Sequence, residues 1–229
     1  MSTFLILAAG NSTRFGSDKL REPINGHTLP MWAADFARQN GCTRLCVTVG
    51  RKGVLTNGEE IYHPVVEDIA KGFGSRPEIA FQSEDSYGPG AAITAWEGKI
   101  TEPFTVLFGD NFYRGTMPMM FNEEATYFSY KTLDTNPRNL QLAVVQDGYI
   151  VEKPHTCMSG DYFCGFARFP VGFFDKLPQL QKSSRGEYEI TDMINLLGAP
   201  VPKSLDECGI EWADITYKSD IELVEELAQ

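Results

Sequence analysis

Short apolar runs alternate with stretches of helical spacing along the first 110 residues. Phe4–Leu7 is an apolar run of strand length, closed by the small residues Ala8, Ala9 and Gly10. Pro30–Asn40 (PMWAADFARQN) sets its apolar residues at helical spacing, and Asn40-Gly41 stops it. Arg44–Val49 predicts a second strand, residues 51–60 a polar loop and His63–Lys71 a helix. Glu78–Gln82 predicts a third strand, Gly90–Lys99 a helix, and Phe104–Phe108 a fourth strand that runs straight into Gly109-Asp110-Asn111. Such alternation argues for a parallel, doubly wound sheet, whose ligands bind beyond the carboxyl ends of the strands. The loop after the first strand, Gln82 and Asp110 then share one rim.

The pattern changes after residue 112. Thr126–Lys131, Leu140–Gln146, Tyr149–Glu152 and Tyr162–Phe169 are strand-like, with Gln146-Asp147-Gly148 as a hairpin turn. Glu187–Leu197 predicts a helix, and Ile215–Ala228 an amphipathic helix. With no internal repeat or low-complexity linker, residues 113–229 are expected to extend the sheet of residues 1–112 within one domain.

Composition narrows the function. At 229 residues, 42% hydrophobic and 22% charged, the chain can bury a core. A net charge of −11 disfavours nucleic-acid binding, and a small anionic substrate would need locally gathered cations or a metal. The five cysteines (Cys42, Cys46, Cys157, Cys164, Cys208) form no CxxC pair and read as reduced thiols. The N-terminal apolar run is too short for a signal peptide or membrane span, so the chain reads as soluble and cytoplasmic.

Several polar clusters can carry chemistry. Leu7 to Lys19 joins small residues to Asn11, Ser12, Thr13, Arg14, Gly16 and Lys19. Backbone N–H groups can approach a ligand there and Arg14 and Lys19 add fixed positive charge, a combination that suits a nucleoside triphosphate. The plain alternative is a strand-to-helix turn with two solvated cations. Asp110 and Asp214 each follow a short apolar segment and are candidate ligands of a hard cation, although such aspartates also cap turns. A helix N-terminus contributes only about 0.3–1 kcal/mol per favourable charge, so a triphosphate in this acidic chain calls for Arg14, Lys19 and Mg2+ together. Gln82, ahead of Gly88 and Gly90, can pair with a base edge through its amide; a plain turn is the alternative. Lys153 precedes Pro154 and is expected to be held extended, aimed at a phosphate. Arg185 is a second candidate phosphate ligand, whereas Glu187 and Glu189 read as solvated or structural. A GxGxxG spacing is lacking after the first strand, which disfavours a dinucleotide-dependent dehydrogenase.

Taken in order, these pieces resemble the sugar-1-phosphate nucleotidylyltransferases, a Rossmann-like family, and among them the glucose-1-phosphate thymidylyl- and uridylyltransferases. Leu7–Arg14 matches the family's LAAG…TR loop, and Gln82 with Gly88 and Gly90 its pyrimidine-reading turn. Phe108–Asn111 matches LGDN, Val151–Pro154 matches EEKP, and Gly165 the glycine of a TGLYF-like strand. Arg185–Asp192 nearly reproduces RGELEITD, and Trp212–Thr216 matches WLDTGT. The resemblance implies a mixed, mostly parallel α/β sheet flanked by helices. It implies a triphosphate site at Leu7, Ala8, Ala9, Gly10, Asn11, Ser12, Thr13, Arg14 and Lys19, and Mg2+ at Asp110 and Asp214. It places the sugar phosphate at Asn111, Glu152, Lys153, Gly165 and Arg185. The implied reaction joins a sugar 1-phosphate to UTP or dTTP and releases pyrophosphate, with Arg14, Lys19, Asp110 and Lys153 as the catalytic set. The substrates are small molecules; no nucleic-acid or membrane partner is expected, and a homo-oligomer is allowed for. Phe15–Pro30 departs from this pattern and is similar to cytidylyl- or molybdopterin-guanylyl-type transferases. A cytidylyltransferase acting on another phosphorylated small molecule is therefore one alternative, and a non-catalytic nucleotide-sugar-binding protein of the same fold is another. The hexapeptide repeats of an appended β-helix are missing, so no acetyltransferase activity is expected.

Overall fold

A computed structural model describes residues 2–10, 15, 17–50, 62–117, 126–156, 159–198 and 200–228. In chain order the strands and helices begin with β1 (Thr3–Ala8), β2 (Pro23–Ile24), β3 (His27–Thr28), α1 (Leu29–Gln39), β4 (Arg44–Val49), α2 (His63–Phe73) and β5 (Glu78–Phe81). They continue with α3 (Pro89–Thr94), β6 (Phe104–Phe108), β7 (Asn111–Arg114), β8 (Tyr127–Leu133), β9 (Val144–Gln146), β10 (Tyr149–Val151) and β11 (Gly160–Phe169). The last are α4 (Ile190–Leu196), β12 (Val201–Ser204), α5 (Leu205–Cys208), β13 (Glu211–Asp214) and α6 (Ile221–Leu227).

β1 is buried along its whole length, as a central parallel strand covered on both faces must be. Its alternation feeds two cores. Phe4, Ile6 and Ala8 pack with α1 and α2 on one face, while Leu5 and Leu7 pack with α3 and α4 on the other. β1 pairs in parallel with both β4 and β6, and β5 continues beyond β4. The chain thus winds outward from β1 through β4 to β5, then returns to the other side of β1 as β6. That reversal opens a crevice at the carboxyl ends of β1 and β6, where doubly wound sheets bind ligands.

The second half continues the same sheet. β11 runs antiparallel to β6, β8 and β9, and β12 adds in parallel to β8. Among the described residues the sheet has nine strands, mixed overall and parallel through β6, β1, β4 and β5. The β9–β10 hairpin turns at Asp147 (φ 49°) and Gly148 (φ 79°), the two positive φ values that a tight two-residue hairpin demands.

Four expected elements differ. Leu140–Gln146 is not one strand: a 3-10 turn covers Pro137–Gln141, and β9 begins at Val144. The helix expected at Glu187 starts at Ile190, because residues 187–188 are tied to Ser183 and Tyr87 by backbone hydrogen bonds. The helix expected at Gly90–Lys99 ends at Thr94. The terminal helix starts at Ile221 rather than Ile215, since the Asp220 carboxylate captures the N–H groups of Thr216 and Tyr217.

Several short elements (β2, β3, β7, β12, α5 and β13) had no counterpart in the sequence pattern, and two of them shape the site. β7 and β13 form a separate antiparallel pair, with Asn111 opposite Asp214 and Arg114 opposite Glu211. A small third core of Phe15, Ile24, Leu29, Phe112, Ala213, Ile215 and Val224 supports it. This pair carries the end of the chain back to the crevice.

Candidate active site

Gly109 sets the geometry. Its N–H donates to the Leu7 carbonyl at 2.9 Å, and a Cβ there would lie 2.9 Å from that oxygen and 3.0 Å from Ile6. Only glycine lets the end of β6 stay this close to β1, and so Asp110 emerges beside the Leu7–Gly10 turn.

Lys19, on a 3-10 turn at Lys19–Arg21, reaches Asp110 from across the crevice. Its Nζ lies 2.7 Å from Asp110 Oδ2 and also donates to the Ile215 carbonyl. Only 9% of Lys19 is exposed, so the ammonium is held in place. Asn111, buried at the start of β7, has the indole N–H of Trp212 3.0 Å from its amide oxygen. In that orientation its NH2 donates to Asp214 Oδ1 at 3.2 Å and to Asp110 Oδ1 at 3.3 Å. One amide therefore gathers both aspartates, and the Thr216 hydroxyl donates to Asp214 Oδ2 at 2.6 Å.

Asp214 titrates above its ordinary range because it is desolvated and because Asp110 is a like charge beside it; Thr216 and Lys19 partly offset this. Asp214, desolvated and beside a like charge, makes with Asp110 a fitting donor set for a hard divalent cation. Among the described residues no three His, Cys, Asp or Glu side chains gather as a cage. A cation here would complete its shell with phosphate oxygens and water, the usual mode for Mg2+.

Two adjoining cavities meet at this point, both walled by Lys19, Asp110, Phe108 and Thr216. The first, about 230 Å³, is lined by Leu7, Ala9, Gly10, Gln82 and Gly88. Ala8 instead belongs to the core under α1 and α2. Asn11, Ser12, Thr13 and Arg14 lie outside the described residues. Gln82 donates its side-chain N–H to the Ser86 carbonyl at 3.0 Å, which leaves the amide oxygen for a ligand. Gly88 and Gly90 owe their identity to packing: a Cβ on either would come within 2.6–2.8 Å of the Tyr188 carbonyl oxygen. The Gly90 N–H is spent on that carbonyl at 2.7 Å.

The second cavity, about 200 Å³, is lined by Asn111, Glu152, Lys153, Gly165, Arg185 and Asp214, among others. Gly165 takes φ 62° in an irregularity of β11, and a Cβ would strike the Phe108 ring at 2.7 Å. The Tyr113 hydroxyl anchors this bend. It accepts from the Phe108 N–H at 3.2 Å and lies 3.1 Å from the Gly165 carbonyl. Lys153 corrects an expectation, for it is left-handed (φ 44°) rather than extended. The chain reverses there as β10 ends, and the constraint from Pro154 is overridden at a cost of about 1–3 kcal/mol.

Arg185 is engaged by carboxylates, and Glu187 and Glu189 are not solvated bystanders. Its Nη2 lies 2.6 Å from Glu189 and 3.5 Å from both Glu152 and Glu187. Glu189 is nearly buried and also accepts from the Ser183 hydroxyl at 2.8 Å. Burial, then the neighbouring Glu189, push the Glu152 carboxyl up to about 7, and Arg185 only partly offsets this. Of the site groups, Tyr113 carried no sequence signal beyond lying near Asp110, and Thr216 none beyond closing the Trp212–Thr216 match.

The chain resembles known proteins in sequence and in fold. Residues 4–110 match the MobA-like NTP transferase domain. The UTP–glucose-1-phosphate uridylyltransferase AglF of Haloferax volcanii is 25% identical over 242 residues, covering 98% of this chain and 96% of AglF. A bifunctional sugar-1-phosphate nucleotidylyltransferase/acetyltransferase of Sulfurisphaera tokodaii is 25% identical over 222 residues, covering 92% of this chain and 51% of that protein. The chain thus spans about half the length of the second relative. The structure of a Bacillus anthracis protein assigned as a glucose-1-phosphate thymidylyltransferase superposes with a TM-score of 0.80 at 20% identity, covering 100% of this chain and 95% of that one. The fold is that of the nucleotidyltransferases, and the chain is related along its length to sugar-1-phosphate nucleotidyltransferases.

Proposed function

We propose that this nucleotidyltransferase joins a sugar 1-phosphate to UTP or dTTP with Mg2+, giving a nucleoside diphosphate sugar and pyrophosphate. The observation that carries the reading is the meeting of two cavities at Lys19, Asp110 and the Asn111-linked Asp214. The first cavity suits the nucleotide, with Gln82 offering its amide oxygen to a donor on the base, such as the N3–H of uracil or thymine. The second suits the phosphorylated sugar, with Lys153 toward the phosphate and Glu152 toward sugar hydroxyls. Arg185 serves the same cavity by holding Glu152 and Glu189 in place.

A phosphate monoester is largely dianionic near neutral pH, its second pKa being about 6, so the attacking oxygen needs no general base. The chain's task is to bring that oxygen in line with the α-phosphorus and the leaving pyrophosphate, and to counter the gathering negative charge. Lys19 supplies a fixed ammonium between the two cavities, and Arg14 is assigned to the triphosphate. A divalent cation at Asp110 and Asp214 would neutralise phosphate charge during transfer.

The amino group of cytosine is also a donor that the Gln82 oxygen can accept, so CTP is the second reading. A coupled pyrophosphate-release assay over a panel of sugar 1-phosphates and five NTPs, with Mg2+ and with EDTA, tests these assignments. Turnover is expected to be highest with UTP or dTTP and to be lost in EDTA. Absence of turnover with every pair, from folded protein, would sink the transferase reading. Turnover of the wild type that is abolished in folded Asp110→Ala and Asp214→Ala variants would exclude a mere nucleotide-sugar-binding protein.

A further inference from the structure

The wall of the second cavity at Gln141, Leu142 and Ala143 belongs to a loop with its own scaffold. The Asn136 side chain accepts from the Arg138 N–H at 3.0 Å, and the Asn139 side chain donates to the Asp134 carbonyl at 2.7 Å. The Leu142 N–H closes onto the Asn139 carbonyl at 2.9 Å. From this loop Arg138 reaches the segment that follows β13. Its Nη2 lies 2.7 Å from Asp220 Oδ1 and 3.0 Å from the Ser219 hydroxyl, and its guanidinium sits 5.1 Å from the centre of the Tyr217 ring.

Asp220 is the node. It is 8% exposed, and its other oxygen accepts from the Thr216 N–H at 2.9 Å and the Tyr217 N–H at 2.7 Å. Thr216 in turn donates its hydroxyl to Asp214, and the neighbouring Ile215 carbonyl receives Lys19. One carboxylate therefore joins the cavity wall to the backbone that aims Asp214 and seats Lys19. An exposed ion pair alone contributes little. This one differs because its acid is buried, bound on both oxygens, and its cation is held by three groups at once.

We infer that Arg138 and Asp220 are positioning residues that lock loop 137–143 against the Asp214–Asp220 segment, so that the sugar-side wall and the Asp214 carboxylate are set together. The name of the cavity's occupant rests on the proposed function; the lock itself does not. Arg138 touches neither cavity's chemistry, and nothing in the lock reaches Gln82 or the Leu7–Gly10 turn. Because Lys19 and Thr216 also wall the first cavity, loss of the lock weakens the phosphorylated co-substrate's site most and the nucleotide's less.

Two readouts on the full chain test this. Hydrogen exchange of Arg138→Ala against wild type is expected to speed up about tenfold or more at the amides of Thr216 and Tyr217 as well as in loop 137–143. In steady state, the KM for the sugar 1-phosphate is expected to rise about tenfold with the KM for NTP within about twofold. Arg138→Lys, which keeps the charge but loses the planar fork, is expected to fall between the two and serves if the alanine variant folds poorly. Unchanged exchange at Thr216 and Tyr217, or a parallel rise in both KM values, would overturn the inference. If the wild type turns over no substrate pair, the transferase reading fails while the exchange result still decides the lock.

Discussion

The two ends of the parallel sheet treat their acids in opposite ways. At the amino ends, Arg44 at the start of β4 grips Glu78 with two 2.8 Å bonds and Glu102 with one of 2.7 Å. Glu102 also accepts from the Thr3 hydroxyl at 2.6 Å. Burial works against the charge on Glu102, yet Thr3 and Arg44 hold its carboxyl down at about 2, and Arg44 lowers Glu78 as well. At the carboxyl ends Asp214, Glu152 and Asp192 are all raised, in each case by burial first and a like charge second. The same residue types are stapled at one end and left under-neutralised at the other. The first arrangement stabilises the sheet. The second costs stability, a pattern that clusters at functional sites.

Substitutions at each end should therefore separate activity from stability. The largest effect is expected from Asp214→Asn: a loss of roughly 100–1,000-fold in kcat/KM, with a melting temperature equal to or above wild type. A lower melting temperature would show that Asp214 is not destabilising. Arg44→Met should do the reverse, lowering stability by about 2–3 kcal/mol in denaturant titration while kcat per folded molecule stays unchanged.

Glu152→Gln tests the carboxyl-end acids through pH. The folded-state value is raised from the ordinary 4.5 to about 7. The stabilisation from protonated Glu152 is therefore complete below about 4.5 and lost as pH rises through about 7. The glutamine variant should melt with wild type near pH 4.5 and above it by about 2–6 °C at pH 8. Glu78 and Glu102 give the opposite trend, their contribution present above about 4.5 and lost as pH falls toward 2. The smallest effect belongs to Tyr113→Phe, which leaves the Phe108 N–H without the phenol and should cost about 1 kcal/mol, read as a small shift of the denaturation midpoint.

The elements legible in the sequence are those whose local pattern and tertiary role agree. FLIL, RLCVTV and FTVLF read as buried strands because they are buried on both faces. Asp110 was recognisable because it directly follows one of them. The β7–β13 pair was not legible, since four-residue strands such as NFYR and EWAD carry too little periodicity. Asp214 consequently looked like the residue after a segment when it is the last of a strand. Lys153 misled for a different reason: the local rule for a residue before proline was overruled by the turn that ends β10. Gly88 and Gly90 looked like openings toward a base, but what excludes a side chain at both is the Tyr188 backbone, far away in the chain.

The pairing of β7 with β13 also has a consequence for how the protein is made. The strand bearing Asn111 is synthesised about 100 residues before the strand it must join, a delay of roughly 5–20 s at ordinary elongation rates. Over that interval the nascent chain holds Lys19 and Asp110 but has neither Asp214 nor the Asp220 node. The half-built crevice thus lacks its second aspartate, and the two carboxylates that the proposed function assigns to a cation come together only when residues 211–220 have left the ribosome and docked.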